Sequence, residues 1–397
     1  MKIHRASIEL QLKSALNRSS AVVLLGPRQV GKTTLAKKIV EELPDAIYLD
    51  LEKAADLRKL DDSGGFLRHQ DKGLTVLDEV HRVPQLFAEL RSVIDERREK
   101  GAQIGQFLLL GSASLNLIQK ASETLAGRVS YLEMTPVLLP EAQSADLSTD
   151  ALWLAGGFPS SLTATSRKSS LQWRTDFIRS YLERYIPMFA PRMPAALLGR
   201  LWTMLAHLQG TPLNATRLAQ NLGVSAPMAN RYIDLLVDLL LIRRVNPWSG
   251  NLGKRLVKAP KIYIRDSGLV HALLEIETTT SLLGHPIVGA SWEGFAIENL
   301  VQAAGLDRLP MYFRTHDGAE IDLIFERGGL PYIAVEIKRS SAPKIETSFI
   351  TNCELLRIEH RFLVCNSEDT YIGRAGVNVL NLPKACEAIR DLFIQHE

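Results

Sequence analysis

The sequence has few cysteines and few aromatic residues. Its 397 residues include only three cysteines, at positions 353, 365 and 386, and no two of them form a CxxC pair. A scattered, odd set of cysteines disfavours a disulfide framework or a zinc site and favours reduced, buried thiols. Aromatic residues make up 7% of the chain, so the sequence does not indicate a dense platform for stacking bases.

Long apolar runs and a strong net charge are also missing. No run approaches the ~18 apolar residues that a membrane span needs, and the first residues lack the apolar core of a signal peptide. We therefore expect a cytoplasmic protein with no membrane partner. The formal net charge is +3, which permits a nucleic-acid partner without indicating one.

The first third of the chain alternates short apolar runs with amphipathic stretches. The apolar runs at 21–25, 46–51, 74–78 and 106–111 predict buried strands, and the stretches between them have helical spacing. Continuous apolar strands that alternate with helices are typical of a parallel sheet covered on both faces. The sequence therefore predicts an α/β fold.

Residues 26–33, GPRQVGKT, match the phosphate-loop pattern G-x-x-x-x-G-K-[ST] between a predicted strand and a predicted helix. The glycines let the backbone curl around phosphate oxygens, Lys32 suits the β- and γ-phosphates, and Thr33 suits Mg²⁺. A glycine-rich turn that matches by chance is the alternative. The predicted ATP-binding residues are Gly26, Pro27, Arg28, Gln29, Val30, Gly31, Lys32, Thr33 and Thr34.

Two acidic residues end the apolar run LTVLDEV at 74–80. Asp78 at the strand end is predicted to hold Mg²⁺, and Glu79 is predicted to polarise the attacking water. An ordinary strand that ends in an acidic turn is the alternative. Because another predicted strand lies between the phosphate loop and this run, the pattern resembles the hydrolytic AAA+-like branch, in which the two motif strands are not consecutive.

Two further residues are candidates for the hydrolytic step. Ser112 follows a predicted strand and resembles the sensor residue of that branch, which hydrogen-bonds the γ-phosphate or the water. Arg128, in LAGRV, suits the charge of a phosphoryl-transfer transition state. A plain turn and a solvated arginine are the alternatives. If Arg128 acts across a subunit boundary, hydrolysis requires a homo-oligomer.

Several segments together resemble a known prokaryotic family. They are GPRQVGKTT, LTVLDEVHR, LLLGSAS, LAGRV, AGGFP, YLERYIP, PKIYIRDSGLVHALL and GASWEGFAIENL. The family consists of AAA+-type ATPases fused to a C-terminal domain of unknown function, and the resemblance runs over nearly the whole chain. Members often have Thr where this chain has Leu110, and many have Asp where it has Tyr185. The first departure weakens the sensor assignment, and the second touches no role that the sequence identifies.

Residues 216–245 have the pattern of a winged helix-turn-helix. Gly223 fits the turn and Ser225 fits the N-cap of the second helix. Arg231, Arg243 and Arg244 are candidate contacts to DNA phosphates. The alternative is a small helical domain used for packing.

Residues 320–338 resemble the core of PD-(D/E)xK nucleases. Asp322 lies on one predicted strand, and Glu336 and Lys338 lie two apart on the next, so their side chains share a face. Glu293 from a preceding helix completes the set, with Glu298 as the fallback. The carboxylates are predicted to hold a second Mg²⁺ or Mn²⁺, and Lys338 to assist the hydrolytic water. A solvated charge pair or a lapsed nuclease site is the alternative.

The predicted organisation is an AAA+-like P-loop sheet at 1–140, a helical connector at 141–200, a winged-helix-like domain at 201–285 and an α/β nuclease-like domain at 286–397. Two functions remain open: an ATP-driven enzyme that processes DNA, or an ATP-controlled switch that acts on a protein partner with an inactive nuclease-like scaffold. A small-molecule kinase fits less well, because Glu79 beside Asp78 suits the activation of water.

Overall fold

A five-stranded parallel sheet lies in the first third of the chain. The structure is a computed structural model, and it describes residues 3–70, 73–101, 104–112, 125–190, 193–250, 256–305 and 308–394 of the chain. The strands of the sheet, β1 to β5, are Ala21–Gly26, Ile47–Asp50, Thr75–Asp78, Phe107–Ser112 and Val129–Glu133. They lie in the order β2–β3–β4–β1–β5. The predicted parallel sheet is confirmed, and within it β4 separates β1 from β3.

Helices cover both faces of this sheet. They are α1 to α5, at Ala6–Leu16, Lys32–Glu42, Ala54–Arg58, Ser63–His69 and Leu86–Glu99. Val22 and Leu24 of β1 pack in the same core cluster as residues of α1 and α2, whereas Ala21 and Val23 pack with residues of α5. Successive side chains of a strand point to opposite faces, so an uninterrupted apolar strand fills both layers.

A helical region follows the first sheet. Its helices, α6 to α13, are Leu139–Gln143, Thr149–Ala155, Pro159–Leu162, Arg167–Ser180, Ile186–Phe189, Ala195–His207, Ala215–Leu222 and Ala226–Asp238. A π-helical turn, Tyr181–Tyr185, joins α9 to α10. Between α12 and α13, Gly223 has φ 70° and the Ser225 hydroxyl accepts a hydrogen bond from the Met228 backbone, as the helix-turn-helix pattern predicts.

The second sheet has eight strands in the order β12–β13–β11–β10–β9–β8–β6–β7. Strands β6 to β13 are Ile242–Pro247, Lys261–Ile264, Met311–Arg314, Glu320–Arg327, Leu330–Ile337, His360–Cys365, Tyr371–Ile372 and Asn378–Asn381. Helices α14 to α18 are Ser267–Leu273, Thr279–Leu283, Val288–Ala304, Thr347–Leu355 and Leu382–Ile394. Strand β6 pairs with β8, so one sheet runs through both predicted C-terminal domains. The division of the chain near residue 285 stays a prediction.

A buried network of charges connects the two sheets. The Arg265 guanidinium contacts Glu133, the last residue of β5, at 2.5 Å and Glu298 of α16 at 3.1 Å. Arg243 of β6 also pairs with Glu298. Burial raises the pKa of Glu298, but the charges of Arg243 and Arg265 outweigh it and lower the pKa. The fallback assignment of Glu298 as a metal ligand is therefore wrong, because two arginines hold its carboxylate.

None of the helices within the described ranges is both long and apolar enough to cross a bilayer.

Removing the charge of Glu298 tests this network. We expect Glu298→Gln to lower the free energy of unfolding by about 3–5 kcal/mol, because Arg243 and Arg265 lose a buried partner. Urea unfolding monitored by circular dichroism measures this change. The control is Glu96→Gln, in a pair with Arg68 whose side chains are 39% and 43% exposed, where we expect a much smaller change because solvent screens the pair. Equal effects of the two substitutions would contradict the prediction.

Candidate functional site

The turn between β1 and α2 has the backbone shape that the phosphate-loop motif predicts. Gly31 has φ 104° and Gln29 has φ 64°, both in the left-handed region. A Cβ on Gly26 would lie 2.4 Å from the carbonyl oxygen of Met134, so only glycine allows this approach. The loop ends where α2 begins, at Lys32, and a helix N-terminus favours an anion.

The remaining loop residues divide between the core and the surface. Pro27 and Val30 are buried, whereas Thr33 and Thr34 are exposed. The Val30 carbonyl accepts a hydrogen bond of 3.0 Å from the Arg5 guanidinium. The loop is thus fixed from the protein side and open on the side of the two threonines.

The Lys32 side chain is folded back into its own loop. Its ammonium donates to the carbonyl oxygens of Gly26 and Pro27, each at 2.9 Å, and the residue is 7% exposed. Burial lowers the pKa of Lys32 to about 8, although the charges of Glu79 and Asp78 act in the opposite direction. The ammonium lies at the centre of the loop, and its third N–H can donate to another acceptor.

Asp78, at the end of β3, is hydrogen-bonded to the start of α2. Its Oδ2 accepts from the Thr33 hydroxyl at 2.7 Å and from the Tyr48 hydroxyl at 2.5 Å. Burial and the bond to Asp78 raise the pKa of Tyr48, so this phenol stays protonated. A hydroxyl beside a carboxylate is the oxygen donor set that Mg²⁺ prefers, so Thr33 and Asp78 fit that ion. No motif in the sequence identified Tyr48.

Glu79 adopts a left-handed backbone, with φ 55° and ψ 44°. Such a conformation is costly for a residue other than glycine and is often found at functional sites. Its carboxylate lies 3.2 Å from the His81 ring and 3.6 Å from the Arg28 guanidinium. Burial raises the pKa of Glu79, but the His81 hydrogen bond and the charge of Arg28 outweigh it, and the pKa falls to about 2.

Arg28 connects the phosphate loop to the π-turn of the helical region. Its guanidinium lies 3.8 Å from the centroid of the Tyr185 ring, a cation–π distance, and its backbone N–H donates to the Tyr181 hydroxyl at 2.9 Å. The same guanidinium faces Glu79. Tyr185 is one of the two positions at which the sequence departs from the family pattern, and this contact was not predicted.

A cavity of about 250 Å³ opens beside the loop. Its walls come from residues 3–5, from the start of α2 and from α8 with Thr163. The apolar part of the lining is formed by Ile3, Val30, Leu35 and Pro159. Thr34 and Gly31 of the phosphate loop also border it, so the cavity is continuous with the loop.

The two further catalytic candidates have different positions. Ser112 is the last residue of β4 and pairs in register with Gly26, but its side chain lies outside the described part of the structure. Arg128 precedes β5 at the opposite edge of the sheet, about 16 Å away along β1. Its guanidinium pairs with Asp95 at 2.7 and 2.8 Å. Arg128 therefore cannot reach the loop of its own chain, and a role across a subunit boundary stays a prediction.

The structure brings the predicted nuclease residues to one region of the second sheet. The Glu336 carboxylate pairs with the Lys338 ammonium at 2.9 Å, and Asp322 Oδ2 accepts from the Ile337 backbone at 2.8 Å. Burial, and then the charge of Glu293, raises the pKa of Asp322. Within the described ranges, however, no group of three or more acidic, histidine or cysteine residues is arranged to hold a metal ion.

The predicted DNA-contacting arginines differ in their exposure. Arg231 lies on the surface of α13. Arg244 pairs with Asp234, and Arg243 is held in the buried pair with Glu298. The prediction for Arg243 is wrong, because its guanidinium faces the interior.

Three domain families match successive parts of the chain. Residues 18–143 match the family described as "AAA domain". Residues 147–280 match "Domain of unknown function (DUF8612)", and residues 288–385 match "Domain of unknown function (DUF4143)". The first match contains the phosphate loop, Asp78 and Glu79.

Two curated relatives match over nearly the full length. They are "Uncharacterized protein Rv2008c" of Mycobacterium tuberculosis and "Uncharacterized protein Mb2031c" of Mycobacterium bovis. Each is 42% identical over 372 residues, which covers 91% of this chain and 82% of the relative. The chain belongs to the family of AAA+-type ATPases with a C-terminal domain of unknown function. The match of residues 18–143 to the AAA domain supports ATP binding and hydrolysis by this chain.

Solved structures give a weaker likeness. The Walker-type ATPase PABY2304 of Pyrococcus abyssi is 14% identical, with a TM-score of 0.48, over 69% of this chain and 96% of that chain. RuvB of Thermotoga maritima is 20% identical, with a TM-score of 0.29, over 61% of this chain and 90% of that chain. Both TM-scores are below 0.5, so the family assignment depends on the sequence matches.

The close packing of Gly26 gives a test of the phosphate loop in this ATPase. We expect Gly26→Ala to weaken Mg–ATP binding at least about tenfold, because the added methyl group would push the loop away from the Met134 carbonyl. Isothermal titration calorimetry measures the affinity. The control is Gly111→Ala on the adjacent strand β4, where a Cβ meets no described atom within 4 Å. Unchanged affinity in Gly26→Ala would show that the loop does not require this approach.

Proposed function

We propose that the protein is an ATP-controlled switch, in which hydrolysis at the phosphate loop changes how the loop contacts the helical region. The contact of Arg28 with both Glu79 and Tyr185 carries this proposal. One side chain thereby touches the acidic residue beside the loop and the π-turn of another region. π-Turns often occur at functional sites.

The loop residues have separate roles in binding the nucleotide. Lys32 exchanges its contacts with the Gly26 and Pro27 carbonyls for phosphate oxygens, and Thr33 and Asp78 hold Mg²⁺. A bound Mg²⁺ supplies positive charge to the β- and γ-phosphate oxygens. The cavity beside the loop is the proposed site of the base, since the apolar part of its lining suits a flat heterocycle and it borders Thr34 and Gly31.

Glu79 is the proposed general base for the attacking water. A carboxylate with a pKa of about 2 is ionised at neutral pH but is a weak base, because proton transfer works best when the two pKa values are closer. Arg28 contributes to that low pKa. Movement of Arg28 away from Glu79 would therefore raise the basicity of the carboxylate. Because Arg28 also contacts Tyr185 of the π-turn, movement of the π-turn would change the rate of hydrolysis.

A second candidate function is ATP-driven DNA processing. The exposed residues Met228, Asn230 and Arg231 at the start of α13 favour it, since this part of a helix-turn-helix enters the major groove. The internal pairing of Arg243 and Arg244 favours the switch instead. Severalfold stimulation of ATP hydrolysis by duplex DNA would support DNA processing instead of the switch, provided that Arg231→Ala removes the stimulation.

Removal of the Tyr185 ring tests the switch. In Tyr185→Leu, Arg28 loses its cation–π partner and closes onto Glu79, so we expect kcat for ATP hydrolysis to fall about three- to tenfold. The KM for ATP should change less than about twofold, because Tyr185 does not line the cavity beside the loop. A coupled ATPase assay measures both constants.

The matched control is Tyr371→Leu on the exposed strand β12, far along the chain from the loop. It should leave both constants unchanged. Unchanged kcat in a folded Tyr185→Leu protein would contradict the coupling through Arg28.

A further inference from the structure

A buried lysine lies among the carboxylates of the predicted nuclease site. Lys261 is the first residue of β7, and its side chain is 3% exposed. Its ammonium lies 3.0 Å from Glu293 Oε1, in contact with Glu320 Oε1 and 4.0 Å from Asp322 Oδ1. The three carboxylates come from α16 and β9, so a single cation joins two elements of the C-terminal region.

The fold fixes the position of this ammonium. Strand β7 pairs with β6 on one side, where Lys261 lies opposite Val245, and an isolated bridge to Pro212 flanks it on the other. The Nζ atom also lies 5.4 Å from the centroid of the Tyr312 ring. Tyr263, two residues along β7, donates its hydroxyl to the same Glu293 oxygen. Lys261 is therefore held from several directions and does not lie there as a mobile surface chain.

Three carboxylates surround the Lys261 ammonium, and carboxylate oxygens are also ligands of hard divalent cations. Mg²⁺ and Mn²⁺ bind carboxylate oxygens. An ion bound by both Glu293 and Asp322 would bridge α16 and β9. An ammonium and a divalent ion cannot occupy that position together, because their charges repel and both require the same oxygens. The remaining carboxylate of the site, that of Glu336, is also paired with a cation, the Lys338 ammonium.

We propose that Lys261 is the resident counter-ion of this cluster and takes the position at which a divalent cation would bridge Glu293 and Asp322. The carboxylates are then held without a metal ion, and the C-terminal sheet serves as a scaffold. Lys261 belongs to the strand that precedes the nuclease-like segment, so the motif at 320–338 gives no indication of it. This proposal is independent of the ATP site.

Calorimetric titration of the nucleotide-free full-length protein with Mn²⁺ tests the proposal. The wild-type protein and Asp322→Asn should give the same isotherm, because Asp322 holds no metal. Lys261→Met should gain a site that binds Mn²⁺ at least about tenfold more tightly, and adding Asp322→Asn to it should remove that site. The control Lys344→Met loses the same charge from an exposed position and should gain nothing.

Two results would overturn the proposal. One is wild-type binding of Mn²⁺ that is lost in Asp322→Asn, and the other is a folded Lys261→Met protein that gains no site. If Lys261→Met does not fold, the comparison of wild type with Asp322→Asn still decides: equal isotherms support a resident lysine, and tighter wild-type binding contradicts it. Loss of ATPase activity in any variant does not enter this comparison, so the proposed switch can fail separately.

Discussion

The burial of one ammonium group in a turn of backbone is the constraint on which the rest of the structure depends. Lys32 is held by two carbonyl oxygens of its own loop, and it is taken out of water there. A buried cation requires negative charge nearby. That charge comes from Asp78 and Glu79, at the end of a strand that is two positions away from β1 in the sheet. Since β1 and β3 both run parallel to β4, these two strand ends lie at the same edge of the sheet, and the fold brings the loop and its counter-charges together.

The same edge of the sheet carries the connection to the rest of the chain. The side chain of Arg28 extends from the loop and contacts both Glu79 and the ring of Tyr185. The buried arginine pair at Glu298 then ties β5 to the second sheet. The phosphate loop therefore contacts the π-turn through Arg28, whereas the charges at Glu298 hold β5 against the second sheet. In the proposed switch, this turn is the element with two arrangements that a coupling between sites requires.

Much of the ATPase region could be predicted from the sequence because its motifs are local. The phosphate loop, Asp78 and Glu79 each lie at a fixed offset from an apolar strand, and the sheet brings them together. Arg128 was harder to assign, because sequence spacing does not reveal that it precedes its strand and so lies at the far edge. Tyr185 and Lys261 could not be found, since their partners are more than 30 positions away and no local pattern marks such contacts.

Titration of Mg–ATP into the purified protein, with hydrolysis measured in parallel, tests the central claim most directly. Three proteins suffice: the wild type, Lys32→Ala and Glu79→Gln. We expect the wild type to bind and turn over, Lys32→Ala to lose tight binding, and Glu79→Gln to bind normally with turnover reduced at least about a hundredfold. Tight binding by Lys32→Ala, or normal turnover by Glu79→Gln, would contradict the account.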